Sequence, residues 1–262
     1  MKKLSVIAMA LLLAACNTVP KSGDASSKAA ETTAAANAAA AEAAVEAAAP
    51  KVVTVSDVEL KSLAGQMQTR LDNVNPLGPR DRYVLRLARL TAKLQNEDGL
   101  SLNFKPSRNP VPDATSSPDG SIRVYSGLMD TLNDPELLAM LAREISFVKN
   151  GAAMLRLRTA YQAFDGAKSV ATFSNALDNL SDVDLQAIGE QVEKNPFTPS
   201  ADLEADDYSL AFLKKNHIDP KALERAFRKL AVKGQRDKAT ALLYPDAKGR
   251  ADRVRDLLAV KK

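Results

Sequence analysis

One cysteine, one histidine and no tryptophan in 262 residues set the first limits on this chain. A single cysteine cannot make an intramolecular disulfide or a thiolate-rich zinc site. A single histidine excludes most histidine-based metal or triad chemistry within one chain. No apolar run is long enough for an internal transmembrane helix. Charge of one sign is scarce too, with 36 Lys+Arg against 32 Asp+Glu, so nothing asks for nucleic acid as a partner. What is present is ordinary. The chain is 45% apolar and 26% charged, which excludes disorder throughout, and its length suits one or two domains with a real core.

The N-terminus accounts for the cysteine. Met1-Lys2-Lys3 is a short basic start, and Leu4 to Ala15 is apolar and rich in small residues. This is the layout of a secretory signal, too short to span a bilayer well. It ends Leu13-Ala14-Ala15-Cys16, which resembles the bacterial lipobox. The resemblance implies cleavage before Cys16 and lipidation of that residue, palmitate included, and several acyl chains on one residue anchor stably. An ordinary signal peptide that happens to contain a cysteine is the alternative. Asn17, rather than Asp, resembles the sorting signal of an outer-membrane lipoprotein, with the domain in the periplasm. Loss of the signal would leave 34 basic against 32 acidic residues.

Residues 16–54 read as a lipidated cysteine followed by a tether. Half of the residues from Lys21 to Pro50 are alanine, which favours helix but buries little apolar surface. A folded domain is expected over 55–262. Val58, Leu60, Leu63, Met67 and Leu71 repeat at helical spacing, as do Val84, Leu85, Leu87, Leu90 and Leu94. Leu100 to Phe104 reads as a strand, Pro106 to Gly120 as a polar loop, and Ile122 to Tyr125 as a second strand. Further helices are expected from Asp134-Pro135, with Asp134 as cap, from Ser181, from Ser200 and from Asp219-Pro220. The fold class is α+β, predominantly helical with a small sheet.

In order, these segments resemble the HtpX-like zinc metallopeptidases, the family that also holds the CAAX prenyl endopeptidases. Asp119-Gly120-Ser121-Ile122-Arg123-Val124-Tyr125-Ser126-Gly127-Leu128-Met129 resembles the family's G-x-I-x-V-x-x-G-L-L strand. Asp134 to Ala142 resembles the run into its zinc helix. Glu204-Ala205-Asp206 resembles its E-A-D, Asp219-Pro220-Lys221-Ala222 its D-P-x-A, and Tyr244-Pro245 with Arg250 its terminal H-P…R. The resemblance covers roughly residues 100–258 and rests on order and spacing. It implies a zincin-like (gluzincin-type) peptidase domain.

The departures fall on the site that the resemblance implies. An active member reads H-E-x-x-H, two histidines on one helix face holding zinc and the glutamate polarising its water. Here that window is Arg143-Glu144-Ile145-Ser146-Phe147. The third ligand position, four residues before the Asp of E-A-D, is Asp202. Arginine has no acceptor and phenylalanine no lone pair, and one shortened carboxylate does not make a three-ligand site. Only the general-base position, Glu144, survives, and without a metal it has no water to activate. His217 matches no ligand position. The expectation is therefore no catalytic residue and no cofactor. Arg143 is expected where zinc would sit, paired with Asp202, Glu144 or both, with Phe147 filling a ligand's volume. The alternative is drift at an unused site.

Three functions fit these residues. The first is a non-catalytic, peptidase-like, lipid-anchored envelope protein that binds envelope proteins or an active protease. The expected peptide-binding edge is Ile122, Arg123, Val124 and Tyr125, on which an extended peptide can add as a strand. The second is an active metalloendopeptidase with a non-standard zinc site. The third is a structural envelope lipoprotein. The basic stretch Lys221 to Lys238 reads as a contact for anionic headgroups or an acidic partner, or as the solvated face of a core helix.

Overall fold

Short polar side chains set most helix starts among the described residues. A computed structural model describes residues 55–74, 76–164 and 180–260; the signal, Cys16 and the tether lie outside them. Helix α1 (Asp57–Val74) opens on Ser56, whose Oγ accepts from Glu59 N while Glu59 returns a carboxylate to Ser56 N. Asp81 caps α2 (Arg82–Thr91). A single 3-10 turn, Glu97–Gly99, leads into the sheet.

The sheet has three strands among the described residues: β1 (Asn103–Ser107), β2 (Ala114–Ser116) and β3 (Ser121–Tyr125). Their order is β1-β3-β2, with β1 parallel and β2 antiparallel to β3. The expected polar loop thus contains a strand, β2, short and flanked by proline, which hid its alternation. Gly120 turns β2 into β3 at φ +88°, and a Cβ there would lie 1.9 Å from Ser101 O.

Helix α3 (Ser126–Thr131) follows at once. Gly127 is required here by proximity, since a Cβ would fall 2.0 Å from Pro110 O. Helix α4 (Asp134–Lys149) is capped by Asn133 in a reciprocal box with Glu136, so the cap lies one residue before the expected Asp134. Gly151, at φ +79°, separates it from α5 (Ala152–Gln162). Ser181 caps α6 (Asp182–Lys194) as expected. Thr198, not Ser200, caps α7 (Pro199–Lys215). Then come α8 (Lys221–Gly234), α9 (Lys238–Leu243) and α10 (Ala247–Ala259).

The main core joins the sheet to α4, α7, α8 and α10 through Ile122, Leu141, Ile145, Leu213, Phe227 and Val254, all essentially fully buried. Each such side chain contributes about 1.5–3 kcal/mol by leaving water. A second cluster, Leu60, Leu63, Leu157, Tyr161, Leu185 and Ile188, ties α1 to α5 and α6. A third and smaller one gathers Phe147, Ala153 and Ala205, with Phe197 at its rim. It marks the site.

Candidate functional site

Helix α4 is buried along one unbroken stretch from Ala139 to Phe147, charged residues included. Arg143 is 3% exposed, and a buried guanidinium needs partners for its donors. Its Nε donates to Asp206 Oδ1 at 2.8 Å and its Nη2 to Asp202 Oδ1. Both acceptors lie on one face of α7, four residues apart. Arg250 of α10 completes the group, donating from Nε to Asp206 Oδ2 at 2.9 Å, with Nη1 3.4 Å from Asp202 Oδ1. The Phe227 ring of α8 lies against both cations, 4.4 Å from the Arg250 guanidinium carbon and 5.6 Å from that of Arg143.

Two cations therefore meet two carboxylates, and Asp206 has no exposed surface at all. Burial works against the Arg143 charge, and Asp206 and Asp202 outweigh it, so its pKa is raised. The structure brings Arg143 and Asp202 together. It also adds Asp206 and Arg250, which sequence reasoning quoted as family motifs without seeing them as partners. Their opposite charges in separate motifs were the available signal.

Phe147 is 1% exposed and stacks on Phe197, rings 3.7 Å apart and 10° from parallel. The Arg143 guanidinium carbon lies 5.4 Å from the near side of this stack, and that of Arg156 lies 4.9 Å from Phe197 on the other. A cation–ring–ring–cation column thus fills the space beside the second histidine position. Phe197 and Arg156 were not anticipated. An aromatic in the polar run Asn195-Pro196-Phe197-Thr198 was the one hint.

Glu144 is enclosed, and its Oε2 has no hydrogen bond among the described residues. Burial pushes its pKa up to about 8, against the pull of the Arg143 charge and with help from Asp113. Ser116 Oγ faces Glu144, also without a hydrogen bond of ordinary geometry. Asp113 accepts a hydrogen bond from Tyr244 Oη at 3.2 Å, and burial raises its pKa as well. Asp113 and Ser116 from the β2 segment and Tyr244 from the turn before α10 surround Glu144, and only Tyr244 had drawn notice.

Ile122, Arg123, Val124 and Tyr125 form β3, the central strand, with neighbours on both sides. The expected peptide-binding edge is corrected: β3 has no free edge, and Arg123 is clamped by Asp72 of α1 at 2.7 and 3.0 Å. The edges are β1 and β2. Alternation alone does not separate a central strand from an edge. His217 sits exposed at φ +56° in the turn after α7, about 20 Å along that helix from Asp202. In the basic stretch Arg225, Arg228 and Lys229 are held by Asp219, Glu224 and Glu136 at 2.6–2.8 Å.

Zinc, the metal implied by the family likeness, does not fit these residues. Asp202 is engaged by Arg143, the two histidine positions offer no lone pair, and no other three acidic, histidine or cysteine side chains converge among the described residues.

The model of Peptidase family M48 matches residues 80–257. Metalloprotease YcaL of Escherichia coli (strain K12) is 30% identical over 217 residues, covering 82% of this chain and 85% of that protein. Metalloprotease LoiP of the same strain is 29% identical over 210 residues, covering 79% and 83%. The match spans the sheet, the α4 and α7 helices and the Arg250 helix as one unit, and on that ground the chain belongs to peptidase family M48.

Proposed function

We propose that this chain is a non-catalytic member of its family, anchored through lipidated Cys16 to the outer membrane. Its domain works in the periplasm by binding or scaffolding envelope proteins, an active protease among them. One observation carries the loss of catalysis: the Arg143 guanidinium bonded to Asp202 and Asp206. A permanent cation in that place repels a divalent ion and uses up the one remaining ligand. The relatives are named metalloproteases; Arg143 and Phe147 argue against carrying that activity over.

The test is the zinc content of the purified full-length protein after incubation with zinc and desalting. Less than about a tenth of an equivalent is expected. Stoichiometric zinc that is lost in Asp202→Ala overturns the reading and makes the chain a peptidase with a non-standard site. Metabolic labelling with palmitate, abolished by Cys16→Ser, tests the anchor.

A further inference from the structure

Beside the Phe147–Phe197 stack lies a cavity of about 580 Å³, walled by α1, β2, α5 and α6. Arg156 of α5 lines it. Its Nε donates to Val192 O at 3.1 Å and Asn195 O at 2.7 Å, and its guanidinium covers the Phe197 ring. Among the described residues no carboxylate pairs with it within 4 Å, and its Nη nitrogens make no hydrogen bond. Burial holds its pKa below the ordinary arginine value, opposed by Glu144, Asp113 and Glu193 through space. Glu144 and Asp113 have their own pKa values raised by burial, and Glu193 stands on the cavity wall outside pairing distance. A part-buried guanidinium whose Nη fork stays unpaired among the described residues can receive a planar anion.

The rest of the cavity speaks for a polypeptide. β2 is an edge strand among the described residues. Ser117 N donates to Ser121 O, and Asp113 O accepts from Tyr125 N. Alternation then turns the main chain of Ser116 outward, toward the cavity that its residue lines. Gln68 Oε1 is buried on this wall with no hydrogen-bond partner among the described residues. Met67, Leu71, Leu157 and Leu185 supply apolar surface, and Leu71 at 62% exposure opens it to solvent.

We propose that this cavity captures the C-terminus of an extended polypeptide: its main chain adds to the outward edge of β2, its last side chain enters the apolar wall, and its terminal carboxylate pairs with Arg156. The proposal deepens the binding role given above and rests on it. Its readout is peptide affinity, so it fails separately from the zinc test.

The probe is a fluorescein-labelled octapeptide of alternating threonine and leucine, titrated into the full-length protein and followed by anisotropy. It ends in leucine, phenylalanine or serine, each as free acid and as carboxamide, and one further carboxamide carries an internal aspartate. Saturable binding of a free acid is expected, weakened about tenfold or more by amidation and by Arg156→Gln. In the variant, amidation has no further effect. Ser116→Pro, compared with Ser116→Ala so that loss of the outward N–H is separated from loss of the hydroxyl, weakens acid and amide alike and keeps the idea testable should Arg156→Gln not fold. Equal affinity of acid and amide overturns the proposal. So does equal affinity of the internal-aspartate carboxamide, or no binding of any free acid at about 1 mM.

Discussion

Glu144 keeps its identity while its surroundings change what it does. Its pKa is raised from 4.5 to about 8 by burial. Between those values the unfolded chain releases the proton and the folded chain keeps it, so stability is full at acid pH and is lost as pH rises toward 8. The raised Asp113 acts in the same direction. The loss has an upper bound of roughly 5 kcal/mol for Glu144. Glu144→Gln is expected to flatten that slope and to raise stability at pH 8, measured by urea unfolding at pH 5 and 8. The charge cluster gives a second expectation. Asp206 is wholly buried and bonds both arginines, while Asp202 is part-exposed. Asp206→Asn should cost about 3–5 kcal/mol and Asp202→Asn roughly 1 kcal/mol, a difference that thermal unfolding of the pair resolves.

Elements were legible in the sequence where one local rule decided them. The α1 and α2 helices show as apolar residues at helical spacing, and α6 through Ser181 as its cap, because nothing competes for the same role. Where two cap-forming residues stand close together, local chemistry does not choose between them. Asn133 beats Asp134 because it reaches Glu136 N while Glu136 reaches back. Thr198 beats Ser200 because Pro199 suits the first helical turn. Thr198→Ala is therefore expected to cost about 1 kcal/mol and Ser200→Ala to stay within roughly 0.5 kcal/mol, read as the difference in denaturant midpoint. The place of β3 was not legible. Arg123 made the strand look half-solvated, and its partner Asp72 lies 51 residues away in another helix. The candidate site was half legible: positions 143, 147 and 202 follow from the family resemblance, whereas the partner role of Arg250 and the places of Asp113 and Phe197 arrive only through tertiary packing.

Across the molecule the apolar interior is divided. The cluster under α4, α7, α8 and α10 is large and continuous with the sheet, while α1, α5 and α6 share a smaller one of their own. Opening free energy follows buried apolar area. Amide hydrogens of α1, α5 and α6 should accordingly exchange faster than those of α4 and α8, by at least about tenfold in native-state hydrogen exchange followed by mass spectrometry. Uniform protection across both groups would contradict the division. The cavity beside Arg156 lies in the less protected layer, so an occupant that bridges β2 and α6 would slow exchange there first.

The pairing of Arg143 and Arg250 with Asp202 and Asp206 also limits redesign. Histidine placed at 143 alone would leave one enclosed cation against two carboxylates, with Phe147 still beside them. Histidine at 147 alone would set an imidazole against a guanidinium. Each single change loses more than it gains, so a metal centre is reached here only by replacing several members of the group together.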